Sequence, residues 1–185
     1  MKHILSLLVL LFVVGCTAVK DNREPTFGIV IHGGAGTIIK ENMSAEMEQA
    51  YREKLAEAVA TGHAILKAGG TSQDAVEQTI HVMENSPLFN SGKGAVLTAG
   101  ESIALDASFM DGKTLDAGAI AGAKHIKNPI SAAIKVMNNS PHVMLAGVGA
   151  DQFAVEQGLD TVPESYFITE RRLDALKRVQ EKEAN

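Results

Sequence analysis

One stretch constrains this chain more than any other, a β-branched run that stops at a glycine turn: Ile29-Val30-Ile31-His32-Gly33-Gly34-Ala35-Gly36-Thr37. Three consecutive Val/Ile residues suit a strand buried on both faces. Gly33, Gly34 and Gly36 then permit positive φ and close approach of the backbone to whatever lies beside it. The expectation is a strand that delivers main-chain groups, with His32, into a site.

Two familiar chemistries use such a turn, and neither fits. An oxyanion hole of the lipase kind needs a nucleophile elbow, Gly-x-Ser-x-Gly, at a strand-to-helix turn. The nearest match, Gly100-Glu-Ser-Ile-Ala104, lacks the last glycine and runs into a strand pattern. A phosphate cradle needs a dinucleotide or P-loop spacing, and Gly92-Lys93 is followed by Gly94 where a P-loop carries Ser or Thr. On its own the turn reads equally well as a plain tight bend.

The N-terminus is organised differently from the rest. Lys2 precedes an apolar run over residues 4–14, and Val13-Val14-Gly15-Cys16 closes it with small residues before a cysteine. This resembles a bacterial lipoprotein signal: residues 1–15 are removed and Cys16 becomes a lipidated N-terminus, anchoring the protein to the bacterial cell envelope, periplasmic or outer-membrane. The apolar run is too short for a spanning helix, which needs ~20 residues. Cys16 is the only cysteine, so an intrachain disulfide is excluded. Residues 16–26 form a polar tether, 27–180 the domain, and 181–185 the start of a charged linker. A chain of 185 residues, 45% hydrophobic and of net charge −5, suits one soluble domain, and the lack of a basic stripe argues against nucleic acid as a partner.

Within the domain, Ser44 is placed to cap a long amphipathic helix (Met47, Tyr51, Leu55, Val59, Gly62, Leu66) stopped by Gly69-Gly70. Thr71-Ser-Gln-Asp74 has capping-box spacing and opens a second helix with Ala75, Val76, Thr79, Ile80 and Met83 on its buried stripe. Alternation at Ile103, Leu105, Ala107 and Phe109 predicts a strand. Asp111-Gly112 reads as a hairpin turn into a second strand near residues 115–121. Asn128-Pro129 reads as N-cap and N1 of a third helix through Met137, followed by a strand at 143–146 and a short helix from about Ala150 to Gly158. Thr169 caps a last helix with Leu173, Leu176 and Val179 inward and Arg171, Lys177, Arg178 and Lys182 outward. The order is α+β, without regular βαβ alternation.

Taken with Ser86-Pro-Leu-Phe-Asn-Ser-Gly-Lys-Gly94 and Leu105-Asp-Ala-Ser-Phe-Met-Asp-Gly112, the glycine turn resembles the plant-type L-asparaginase/isoaspartyl peptidase family, from about Phe27 to about Arg178. Those proteins are threonine-type N-terminal-nucleophile hydrolases. The resemblance implies half of a four-layer α-β-β-α sandwich, with His32, Gly33, Gly34, Ala35, Gly36 and Asn90 as active-site loop residues. It also implies a structural sodium ion on the main-chain carbonyls of Met83, Glu84, Ser86, Phe89, Ser91 and Lys93, and no catalytic cofactor. The alternative for that loop is carbonyls satisfied by water and neighbouring backbone.

The family's nucleophile is a threonine freed by autocatalytic cleavage in a Gly-Thr-Val-Gly segment, which this sequence does not contain. Thr37 and Thr71 follow glycines but lie in the wrong motifs, and an internal threonine has a non-basic amide nitrogen where the reaction needs a free amine. No catalytic residue is therefore expected in this chain. The implied reading is the α portion of an isoaspartyl peptidase/L-asparaginase, partnered by a β subunit of the same precursor in an (αβ)2 heterotetramer, acting on β-aspartyl peptides and on asparagine. The alternatives are a glycosylasparaginase-type amidohydrolase and an inactive envelope-anchored binding protein. His63, His81, His125 and His142 are scattered without metal-ligand spacing and receive no role.

Overall fold

The structure, a computed structural model, describes residues 26–34 and 43–184. Cys16, Ala35 and Gly36 lie outside the described residues. Helix α1 (Ala45–Lys67) begins where the Ser44 hydroxyl accepts from the Met47 N–H at 3.2 Å. It ends in a paired cap: the N–H groups of Gly69 and Gly70 bond back to the carbonyls of Leu66 and Ile65, a geometry that needs φ near the +84° adopted by Gly69. Helix α2 (Ser72–Glu84) starts from Thr71, whose hydroxyl accepts from the Asp74 N–H and donates to the Asp74 carboxylate. The two helices pack through Ala58 and Gly62 on one and Ala75 and Thr79 on the other, all buried.

Strand β1 (Leu105–Met110) runs antiparallel to β2 (Ala117–Ala123), with a register shift between Leu105 and Ala107. Helix α3 (Pro129–Asn139) then crosses over to β3 (Met144–Ala146), which pairs parallel with β2. The sheet order is β1-β2-β3. Small residues in β2 let α3 lie directly on the sheet: a β-carbon on Gly118 would collide with the Ala133 carbonyl and the Met137 amide. Helix α4 (Gly147–Glu156) and helix α5 (Glu170–Glu183) complete the fold. The core forms where sheet, α3, α4 and the segment before α5 meet, around Ile103, Ile120, Ile126, Val136, Ala154 and Phe167.

Four expectations change. Residues 29–31 are extended, as β-branched residues should be, but pair with no strand among the described residues, and Val30 is 95% exposed rather than buried on both faces. A strand exists only through its neighbours, and none is supplied there. The turn after β1 is a wider loop over 111–116. In it the Asp111 carboxylate accepts from the Lys113 N–H at 2.7 Å, and Leu115, not Gly112, takes the positive φ of 66°. Strand β2 consequently starts at Ala117. Helix α4 starts at Gly147, three residues early, directly off β3. Among the described residues the architecture is α+β with five helices and a small sheet. No described helix is long and apolar enough to cross a membrane.

Candidate functional site

The irregular segment 85–94 leaves the end of α2 and folds back on it. Gly92, at φ 55°, lies so close to Glu84 that a β-carbon would overlap the Glu84 carbonyl, and one on Gly94 would overlap that of Phe89. Asn90 sits exposed on this loop. The glycine turn reaches it: a β-carbon built on Gly34, whose φ is 126°, would stand 3.9 Å from the Asn90 Oδ1. Two motifs far apart in sequence thus share one corner. Below the turn, Gly33, Gly34, Met43, Glu48, Tyr51, Arg52 and Leu55 line a groove of about 370 Å³. His32, exposed, lines a different and smaller groove of about 180 Å³ with residues 29–31 and with Val76, Thr79, Ile80 and Met83 of α2.

Among the six carbonyls expected on sodium, that of Met83 accepts from the Ser86 N–H at 3.1 Å and that of Ser91 from the Gly94 N–H at 3.4 Å. Each carbonyl oxygen has a second lone pair, so both remain competent ligands, and the fold-back at Gly92 brings the two ends of the loop together. The loop therefore presents main-chain oxygens, the donor type that a hard cation takes, near both of its ends. Among the described residues no group of three or more His, Cys, Asp or Glu is placed to hold a metal.

Sequence reasoning missed what fixes this loop. Tyr51, read as one more apolar position of α1, donates its hydroxyl to the Leu88 carbonyl at 2.6 Å and meets Phe89 edge-on at 5.7 Å. Arg171, expected to point outward from α5, reaches back instead: its Nη1 donates to the Tyr51 hydroxyl at 3.0 Å. Arg172 donates Nε to the Gly94 carbonyl at 2.6 Å, and burial pulls its guanidinium below the usual value. A partner 120 positions away leaves no local signal.

The Glu84 side chain was missed as well. It is 3% exposed and accepts from the Ile130 N–H and the Asn128 amide, both at 3.0 Å. Asn128 thus spends its side chain on Glu84 instead of capping α3, and the carboxyl of α2 caps α3 in its place. Burial pushes Glu84 up to about 7, against those two hydrogen bonds and with help from Glu77. Beside it the Ser131 hydroxyl donates to Glu77 at 2.6 Å and meets His81 Nε2 at 2.7 Å, while burial lowers the His81 pKa. His125 bonds the Val162 carbonyl and His63 packs on Phe27, so these histidines serve structure.

The family model described as asparaginase matches residues 25–185. An isoaspartyl peptidase of Escherichia coli is 47% identical over 148 residues, which is 80% of this chain and 46% of that protein. An isoaspartyl peptidase/L-asparaginase of Mus musculus is 44% identical over 86% of this chain and 48% of its own length. A plant-type L-asparaginase of Pyrococcus horikoshii is 46% identical over 83% of this chain and 48% of its own. The chain spans about half the length of these relatives. With the glycine turn, the 85–94 loop and these matches in agreement, the chain belongs to the asparaginase family.

Proposed function

We propose that this chain is the α portion of an isoaspartyl peptidase/L-asparaginase, completed by a β portion whose first residue is the nucleophilic threonine. The observation that carries this reading is the corner where Asn90 meets Gly34. Relatives named for these activities, of which the chain spans about half, support it. In the completed enzyme the threonine hydroxyl attacks a β-aspartyl peptide carbonyl or the side-chain amide of asparagine. Its own α-amine takes the proton and delivers it to the departing amine or ammonia as the C–N bond breaks; water then hydrolyses the acyl-threonine ester, releasing the aspartyl acid and freeing the hydroxyl.

This chain's part is positional. The Asn90 amide offers both a donor and an acceptor beside the nucleophile. The glycine turn lets backbone approach where a β-carbon would intrude. The main-chain carbonyls of Met83, Glu84, Ser86, Phe89, Ser91 and Lys93 hold a structural sodium ion that keeps the loop in shape. The chain contributes half of a four-layer α-β-β-α sandwich, in an (αβ)2 assembly. What supports this is the pair of grooves that the described residues leave open beside residues 29–33: one along α1, about 730 Å³, and one along α2, about 180 Å³. Cys16 carries lipid and the 16–26 tether holds the domain on the envelope.

The test is co-expression of the mature chain with a β portion, followed by ammonia release from asparagine and aspartate release from a β-aspartyl dipeptide. Turnover by the pair is expected. A folded pair with a free N-terminal threonine and no turnover of either substrate would overturn the reading.

A further inference from the structure

Asn90 is carried by the backbone of the 85–94 loop, and that backbone sets where its side chain meets Gly34. That backbone is fixed on both sides of it. Two residues before Asn90, the Leu88 carbonyl receives the Tyr51 hydroxyl at 2.6 Å; four residues after it, the Gly94 carbonyl receives Arg172 Nε at 2.6 Å. The geometry points to Tyr51, Arg171 and Arg172 as positioning residues: a clamp from α1 and α5 that brackets Asn90 and holds it against Gly34. This rests on the reading of the site given above.

The chemistry of each contact favours positioning over simple stability. A phenol has one proton, and that of Tyr51 goes to Leu88; the hydroxyl oxygen then accepts from Arg171, which also lies over the ring at 5.9 Å. Arg171 therefore sets the direction in which Tyr51 donates. Arg172 is half-buried and forms no ion pair among the described residues; its recorded side-chain partner is one neutral carbonyl. A desolvated cation that meets a carbonyl instead of a carboxylate is a weak source of stability. It is a strong, directional donor all the same. Phe89, buried between the two anchor points, prevents the loop from lifting as a unit. The arrangement makes helix α5 a lever on the site: a shift of α5 moves Gly94, and with it Asn90.

The test uses Tyr51→Phe, Arg172→Leu and Arg172→Lys, with Lys177→Gln on the exposed side of α5 as control. Backbone hydrogen exchange is followed by mass spectrometry on the full chain, alone and with the β portion. Tyr51→Phe and Arg172→Leu should speed exchange in 86–94 by roughly fivefold to tenfold and leave 129–139 unchanged. In the αβ pair both should lower kcat on a β-aspartyl dipeptide by roughly tenfold to a hundredfold, with KM within about twofold. Arg172→Lys, which keeps a charged donor, should restore most of both. Unchanged exchange in 86–94 overturns the clamp, and faster exchange with unaltered kcat overturns its positioning role. If the wild-type pair turns over neither substrate, the proposed function fails, and the exchange measurements still decide whether the clamp exists.

Discussion

Replacing Glu84 by glutamine tests whether the buried carboxyl works against the fold at neutral pH. In the unfolded chain this carboxyl titrates near 4.5; burial raises it to about 7 in the folded protein. Below pH 4.5 both states hold the proton and the full contribution to stability is present. Between those values the unfolded state releases its proton while the folded state keeps it, so stability falls as pH rises. The loss is complete once pH passes the folded value. At ~1.4 kcal/mol per pH unit, the rise is worth about 3 kcal/mol. Glutamine keeps one carbonyl acceptor for the Ile130 N–H but turns a donor toward the Asn128 amide, a cost of about 1–3 kcal/mol independent of pH. The variant should therefore be the less stable protein at pH 5, and the gap should close or invert by pH 8. Urea unfolding followed by far-UV circular dichroism suits a chain with no tryptophan, at constant sodium concentration. A stability difference between the two proteins that stays constant from pH 5 to pH 8 would refute the reasoning.

Gly118→Ala should destabilise by about 1–3 kcal/mol, because its β-carbon meets the backbone of α3. Gly112→Ala, with open space around it, should be near neutral in the same unfolding assay. The chain by itself should neither release ammonia from asparagine nor cleave its own backbone; measurable turnover that a point change within the chain abolishes would contradict the absence of a nucleophile. Mass spectrometry of membrane-extracted protein should find acyl groups on Cys16, two or three chains sufficing for a stable anchor. An unmodified Cys16 still joined to residues 1–15 would remove the envelope assignment.

Local chemistry was the legible part of this fold. Ser44, Thr71 and Thr169 accept from the N–H three residues on, and Pro129 takes the first helical position, because a cap involves only residues within one turn. The failures are nonlocal or turn-specific. Residues 29–31 have the composition of a central strand, but pairing depends on a neighbour that the run itself does not contain. At the β1–β2 turn, the Asp111 side chain captured two following amides and the positive φ moved to Leu115, overriding the Asp-Gly signal. The site divides in the same way. Gly34 and Asn90 are singled out by the family resemblance, and their approach is a property of the fold, while His32 lines a different groove. The Tyr51, Arg171 and Arg172 contacts join residues whose separate patterns read as core and surface.

Among the described residues the sheet ends at β1 on one side and β3 on the other, and an open edge bears on how a protein is best made. Among the described residues strand β1 has one neighbour, β2, and its single charged residue, Asp106, turns its carboxylate to the Gly122 N–H of β2 and so does not guard the outer edge. Such an edge accepts whatever strand arrives first, including the same edge of another copy. A strand supplied by the same polypeptide arrives at an effective concentration of order millimolar, about a thousandfold above a second copy present at micromolar levels. If the proposed β portion supplies that strand, synthesis of both portions as one precursor, cut only after they have folded together, would let tethering win that competition. Separate synthesis would leave the outcome to protein concentration.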